Sequence, residues 1–178
     1  MDPVTMFERA ATNAASMVGQ VRPDQQSNPT PCSEWDVQAL VDHMAAGSGY
    51  LLAAAGLDPS PAGTDQASYR DAVARCVAVL CRDGVLERSC RSPVGFEWPV
   101  GQAAAATAMD QLIHTWDLAV AIGADRRLDP ELVDAVSMMF LPDMPELGRT
   151  AGLVGPAVAV RADASAQERL LGAMGRRP

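Results

Sequence analysis

The stretch MDQLIHTWDLA, residues 109–119, decides the fold, and it lies in a longer run rich in alanine and leucine. Both residue types are strong helix formers, so the segment predicts an α-helix. Asp110 and His114 stand four residues apart, and positions i and i+4 lie on one face of a helix. An unpaired carboxylate would be costly to bury in such an apolar helix. The pattern therefore predicts a paired carboxylate and imidazole on one helix face.

His43 is the other of the two histidines in the chain, and it lies in a second apolar stretch, DVQALVDHM, residues 36–44. Two imidazoles and one carboxylate with an open fourth position form the ligand set of a catalytic divalent-metal site. We predict that His43, Asp110 and His114 bind a divalent metal. The alternative is that each histidine is an ordinary core or surface residue and that the Asp110–His114 pair only stabilises its helix.

Asp117 stands one turn beyond His114 on the same predicted helix. A carboxylate at this spacing could accept a hydrogen bond from the imidazole and so orient it toward a metal. The alternative is a solvated carboxylate near the end of the helix. The sequence leaves these two roles of Asp117 open.

Helical periodicity of the apolar residues predicts four long helices, at about 4–21, 33–55, 65–82 and 100–122. Ser33 is the predicted N-cap of the second helix. This helix is predicted to end at Gly56 and the Pro59-Ser60-Pro61 loop. A fifth helix follows Asp129-Pro130, a tail over 148–160 is predicted to be extended, and Ser165 begins a short final helix. We predict an all-α fold: a four-helix bundle in a single domain, 1–178, with a long irregular loop before the last bundle helix.

That irregular loop spans 84–101, and extended pieces are compatible with its composition. It concentrates Phe96 and Trp98 in a chain that has few aromatic residues, and long ordered loops are often functional. We predict that residues 93–99 border the metal cavity and that Phe96 and Tyr50 contact a bound small molecule. The alternative, favoured for Trp98, is that these rings close the end of the bundle.

The chain carries 14 basic and 22 acidic residues, a net charge of −8. This balance argues against nucleic-acid and anionic-membrane partners. No apolar run approaches the roughly 20 residues that span a bilayer, and the first residues do not resemble a secretory signal. We expect a cytoplasmic location and reduced cysteines, with Cys32 and Cys90 left open as reactive thiols.

Three stretches carry a resemblance to a known family. TPCSEWDV (30–37) followed by LVDH (40–43) resembles the opening motif of the DinB-like metalloproteins. The similarity is greatest to the actinobacterial branch related to the N-terminal domain of mycothiol-dependent maleylpyruvate isomerase. DQLIHTWDLA (110–119) is similar to the second motif of that branch, and ASAQERLL (164–171) resembles the ending of a subgroup in which this domain stands alone.

The resemblance implies a DinB-like bundle in which His43, Asp110 and His114 hold a divalent metal, with zinc as the expected ion. The isomerase carries Glu at the position of Asp110. The family's chemistry is thiol-dependent, which implies a low-molecular-weight thiol such as mycothiol as co-substrate and a small electrophilic substrate. The implied reaction is transfer, conjugation or isomerisation. A hydrolase that uses metal-activated water, and a non-catalytic metal or small-ligand binding module, are the alternatives; a homodimer is left open.

Overall fold

A computed structural model describes residues 1–59 and 63–178. Ser60 and Pro61 of the predicted loop therefore lie outside the described residues. The described part of the chain is mostly helical, which confirms the all-α prediction. Its elements are α1 (Pro3–Val18), α2 (Val37–Ala54), α3 (Gln66–Leu80), β1 (Ser89–Arg91), β2 (Glu97–Pro99), α4 (Val100–Ile122), α5 (Pro130–Phe140), α6 (Met144–Thr150) and α7 (Ala166–Ala173).

Helices α1 to α4 form the predicted helical bundle. Helix α4 packs against α1 and α2, and α3 packs against the same two helices. Apolar side chains fill the space between them, and burial of this kind is the main stabilising contribution to such a fold. The largest of these buried side chains are Met6, Phe7, Leu40, Met44, Leu51, Leu52, Tyr69, Leu80, Leu112 and Leu118. Since α2 and α4 are direct neighbours, side chains from the two predicted metal-bearing helices can meet.

Helix α2 starts later than predicted. Its N-cap is Asp36, whose carboxylate accepts a hydrogen bond from the Ala39 N–H at 2.9 Å. The prediction of Ser33 as N-cap was wrong because the Trp35 N–H bonds to the Cys32 carbonyl at 2.9 Å, which makes this segment a turn before the helix. The end of α4 is as predicted, with Gly123 in the left-handed conformation (φ 72°) that glycine adopts without strain.

The connection between α3 and α4 contains a short antiparallel hairpin. Strands β1 and β2 pair with Cys90 opposite Trp98. The Trp98 indole N–H donates to the Tyr50 hydroxyl at 2.9 Å, and that hydroxyl donates to the Arg91 carbonyl at 3.2 Å. These two bonds tie the hairpin to α2. Part of the predicted irregular loop is therefore regular, extended structure.

The described residues divide into two compact units, Met1–Arg126 and Arg127–Pro178. The prediction of one domain over 1–178 stays a prediction. Within the second unit, α5 packs against α7. Helix α5 is capped by Asp129 with Pro130 in its first turn, as predicted, and Ser165 forms the predicted capping box at the start of α7.

Helix α6 in the second unit was not predicted. The extended tail was expected from Gly148 onward, but α6 continues to Thr150. An ion pair one turn apart within this helix, with Arg149 Nη2 at 3.0 Å from Glu146 Oε2, favours the helical conformation. The prediction failed because the glycine and proline residues that follow dominate the local pattern.

Candidate metal centre

The three predicted ligands converge between α2 and α4. His43 Nε2 lies 3.3 Å from Asp110 Oδ1 and 3.2 Å from Asp110 Oδ2. His114 Nε2 lies 3.3 Å from Asp110 Oδ1. One ligand atom from each of the three side chains lies within 4.8 Å of the others. The structure thus brings together residues that are 67 positions apart in sequence, with the carboxylate between the two imidazoles.

A glycine in α2, which has no side chain, allows α2 and α4 to approach each other closely beside the metal centre. Gly47 follows His43 by one turn of α2. A Cβ atom at Gly47 would lie 3.1 Å from Gln111 Nε2 and 3.2 Å from Thr107 Cγ2, both on α4. Such distances are shorter than ordinary van der Waals contact. The close helix packing beside Gly47 therefore contributes to the short distance between His43 and Asp110.

A buried hydrogen-bond network fixes α2 and α4 against α3 directly behind the centre. Gln111 Nε2 donates to the Met44 carbonyl at 2.8 Å. The Tyr69 hydroxyl of α3 donates to Gln111 Oε1 and lies 3.2 Å from the same carbonyl. Met44 and Gln111 are the chain neighbours of His43 and Asp110. Buried polar groups that are satisfied in this way hold neighbouring elements in one arrangement, so the network fixes the relative positions of the two ligands.

Asp117 orients the His114 ring from the side opposite Asp110. His114 Nδ1 donates to Asp117 Oδ2 at 2.9 Å, and the Asp117 side chain is 0% exposed. The alternative of a solvated carboxylate at the helix end is therefore wrong. A carboxylate bonded to one ring nitrogen leaves the other, Nε2, aimed at the metal position, as in many carboxylate–histidine–metal arrangements.

Trp35 covers the two imidazoles, and sequence reasoning missed this. Its ring centroid lies 4.6 Å from that of His43 and 5.7 Å from that of His114. The two imidazoles meet edge to face at 4.9 Å. Trp35 belongs to the motif that precedes α2, and its position eight residues before His43 was the one signal that could have placed it here. The indole thus packs against both imidazoles and occupies one side of the centre.

Cys32 reaches the back of the His114 ring. Its sulfur lies 3.5 Å from Asp117 Oδ2 and 3.9 Å from His114 Nδ1. The Thr30 hydroxyl holds this turn by donating to the Trp35 carbonyl at 2.8 Å, and it accepts from the Cys32 N–H at 3.1 Å. The same short turn therefore places the thiol behind one imidazole and the indole over both.

The charges of the centre are strongly coupled. Burial alone would raise the pKa of Asp110, but the neighbouring His114 and His43 outweigh burial and hold this pKa well below its usual range. Burial alone would lower the pKa of His114. The Asp110 carboxylate, followed by hydrogen bonds to Asp117 and Cys32, instead raises it well above its ordinary value. The arrangement thus stabilises positive charge beside Asp110, which is the electrostatic setting in which a cation binds.

The donor set fits a divalent metal. Tetrahedral coordination with zinc–ligand bonds of 2.0–2.2 Å separates neighbouring nitrogen and oxygen ligands by about 3.4 Å. The nitrogen-to-oxygen distances of 3.2 and 3.3 Å around Asp110 are close to that separation. The His43 and Asp110 side chains are 38% and 35% exposed, so the centre is open to solvent on one side. His114 is 8% exposed and forms the buried inner wall of the centre.

The two residues predicted to contact a small molecule lie near the hairpin. Tyr50 follows His43 by two turns of α2 and so lies about 10 Å along the helix on the same face. Phe96 is 53% exposed and meets Trp98 edge to face at 5.4 Å. Tyr50 bonds to Trp98, as described above. The ligand-binding roles of Phe96 and Tyr50 stay predictions.

No helix among the described residues combines the length and the apolar character needed to cross a membrane.

Comparison with known proteins places the chain in a family. The family model described as the mycothiol maleylpyruvate isomerase N-terminal domain matches residues 7–88, a region that includes His43 but ends before Asp110. Two uncharacterized proteins from two strains of Mycobacterium tuberculosis are each 33% identical to the chain over 160 residues. The match covers 88% of this chain and 81% of each relative. No solved structure is significantly similar to the chain. The chain belongs to the family of the mycothiol maleylpyruvate isomerase N-terminal domain.

Proposed function

We propose that the protein is a metal-dependent enzyme that uses a low-molecular-weight thiol for transfer, conjugation or isomerisation. The observation that carries this proposal is the convergence of two imidazole nitrogens on one carboxylate in a partly exposed site. His43 Nε2, His114 Nε2 and Asp110 would hold the divalent ion, with zinc as the expected metal. When bound, such an ion stabilises the thiolate form of a coordinated thiol near neutral pH.

The residues of the chain would prepare the site for that chemistry. Asp117 holds the His114 ring so that Nε2 faces Asp110. Trp35 covers the imidazoles on one side and limits the approach of water there. The partial exposure of His43 and Asp110 leaves the other side open to a thiol and its substrate.

Mycothiol is the proposed thiol because the family description names it. A carboxylate and two neutral imidazoles leave a bound dication with a net positive charge, which suits an anionic thiolate as a further ligand. The small-molecule substrate would be an electrophile that the thiolate attacks. A homodimer and a cytoplasmic location belong to the proposal as expectations.

An open site would also admit water, which supports hydrolysis with metal-activated water as the second candidate. Both candidates require the metal, and they differ in which nucleophile occupies the open side. A non-catalytic binding module would hold the metal or a small ligand without turnover.

Metal content and thiol binding test the proposal in turn. The purified protein should bind about one zinc ion per chain, as catalytic zinc sites do. Replacement of zinc by cobalt provides a visible spectrum, and mycothiol should then add a sulfur-to-cobalt charge-transfer band. S-methylated mycothiol, which cannot form a thiolate, is the matched control and should leave the spectrum unchanged.

The outcomes separate the candidates. Failure of the wild-type protein to bind any divalent metal would refute the metal centre. Metal binding without a thiol band would instead favour hydrolysis or a binding module, and turnover of activated esters would decide between those two.

A further inference from the structure

A second group of metal-ligand side chains surrounds the other nitrogen of His114. Among the described residues, Cys32, His114 and Asp117 bring one ligand atom each within 4.8 Å of one another. His43, Asp110 and His114 form the first such group. His114 belongs to both, through Nε2 on the Asp110 side and through Nδ1 on the side of Asp117 and Cys32.

The distances in this second group suit a metal with one sulfur ligand. Zinc bonds of 2.3 Å to sulfur and 2.0–2.2 Å to nitrogen and oxygen give ligand separations of about 3.4–3.6 Å in a tetrahedron. The thiol lies 3.5 Å from Asp117 Oδ2 and 3.9 Å from His114 Nδ1. Nδ1 and Oδ2 are hydrogen-bonded at 2.9 Å and would separate by about half an ångström around an ion.

The chemistry of the three donors favours a soft ion. A thiolate selects thiophilic metals, whereas the first group offers only nitrogen and oxygen. A thiolate and a carboxylate together neutralise a dication, which matters because Asp117 is fully buried and an unbalanced charge there would be costly. Cys32 is only partly buried, which provides a route for the ion from solvent.

The position of His114 between Asp110 and Asp117 makes the two groups alternatives. When a metal takes Nε2, Nδ1 keeps its proton and donates a hydrogen bond to Asp117. When a metal takes Nδ1, the remaining ring proton is on Nε2, which can donate a hydrogen bond to Asp110 Oδ1 at 3.3 Å. Each carboxylate is thus a ligand in one state and a hydrogen-bond acceptor in the other. A neutral imidazole carries one proton and cannot serve both metals at once.

We propose that Cys32, His114 Nδ1 and Asp117 form a second site for thiophilic divalent metals, which competes with the first site for His114. Binding displaces two protons to solvent, the thiol proton of Cys32 and the Nδ1 proton of His114, while Nε2 of the ring keeps its proton. The inference does not depend on the thiol chemistry proposed above, since it concerns only metal ions and the ligands of this chain.

Cadmium is the probe, because cadmium–thiolate coordination has an ultraviolet charge-transfer band. Titration of the wild-type protein with cadmium should produce this band and saturate near one equivalent. Cys32→Ser should lose the band, and Cys81→Ser, which removes an exposed thiol elsewhere, is the matched control that should keep it. Cadmium should also release zinc bound at the first site of the wild-type protein, but to a lesser extent from Cys32→Ser.

Substitutions at the first site complete the test. His43→Ala should abolish zinc binding at the first site but keep the cadmium–thiolate band, whereas His114→Ala should lose both. Asp117→Asn should weaken cadmium binding while the band remains dependent on Cys32. Circular dichroism checks that each variant is folded, and Cys32→Ala replaces Cys32→Ser if the latter is not.

A band that persists without Cys32, or that is lost with Cys81, would overturn the proposal. Absence of any cadmium–thiolate band in the wild-type protein would overturn it too. Loss of the band in His43→Ala would show that the cadmium–thiolate site requires His43 and would also contradict the proposal. If zinc fails to bind at the first site while the Cys32-dependent band is present, the proposed enzyme function fails and the second site stands.

Discussion

The metal centre and the hairpin region both join α2 to another part of the first unit through aromatic and polar side chains, but the groups that they bring together differ. At the centre, Trp35 covers two imidazoles that contact a carboxylate. At the hairpin, Trp98 and Tyr50 form bonds with each other and with a backbone carbonyl, all between neutral groups. The first arrangement concentrates coupled charges, whereas the second satisfies polar groups where a strand meets a helix. Aromatic enrichment alone therefore does not identify a reactive site.

Removal of His114 is the strongest test of that difference. Because both proposed metal sites use this ring, His114→Ala should reduce zinc affinity by more than the roughly 100-fold upper range of indirect effects. The bundle should stay helical, because buried apolar side chains stabilise it. Calorimetric titration with zinc, together with far-ultraviolet circular dichroism, measures both. If the zinc affinity equals that of the wild type, His114 is not a zinc ligand, and the proposed difference between the centre and the hairpin is refuted.

The length of the side chain at position 110 gives the next effect. Asp110→Ala removes a ligand and should weaken zinc binding strongly. Asp110→Glu keeps a carboxylate and its charge, and it should retain more affinity than Asp110→Ala. Competition with a chromogenic zinc chelator compares the two. Tighter binding by the alanine variant would contradict the assignment of Asp110 as a ligand.

Asp117→Asn tests a residue that affects metal binding at the centre indirectly, by positioning the His114 ring. The amide cannot stabilise the imidazole as the carboxylate does, so zinc affinity should fall by about 10- to 100-fold. The nearly isosteric amide leaves the packing of α4 unchanged. Asp42→Asn, which alters a carboxylate bonded to Gln38 on exposed α2 surface, is the control and should have no effect. Equal zinc affinities for the two variants would show that Asp117 does not position His114.

The smallest effects are expected from substitution of the aromatic residues in the two regions. Stacking of aromatic rings contributes about 0.5–1.5 kcal/mol, so Trp35→Ala should weaken zinc binding by about 2- to 10-fold.

Phe96→Ala should leave zinc affinity unchanged and weaken binding of the thiol or substrate. A change in zinc affinity in Phe96→Ala would contradict the role predicted for the hairpin. Unchanged binding of both the thiol and the substrate would contradict it too.

Helical periodicity was sufficient to predict the bundle, because α4 and its glycine end follow local rules of propensity and capping. The spacing of Asp110 and His114 predicted two of the converging side chains, and the scarcity of histidine pointed to His43. The placement of Trp35 and Cys32 could not be predicted in this way. It depends on the turn held by Thr30, and no periodic signal relates Cys32 to His114, which are 82 positions apart in sequence.

Hydrogen bonds that leave no pattern in the sequence also explain the error in the predicted start of α2. Ser33 is a good N-cap by residue type, but hydrogen bonds of the turn before α2 move the cap to Asp36. The contact of Gln111 with Met44 and Tyr69 also has no signature in sequence, because it depends on the packing of three helices.

That three-helix network has a consequence for the order of events in metal uptake. Tyr69, Gln111 and the Met44 carbonyl hold α2 and α4 together through protein groups alone. The entropy of aligning the ligands is then lost during folding, before any ion arrives, in contrast to zinc fingers, whose metal-binding energy drives folding. Affinity is therefore not diminished by a folding cost at each binding event. Metal exchange can proceed on a folded scaffold, at a rate governed by access of the ion to the centre and its loss of water.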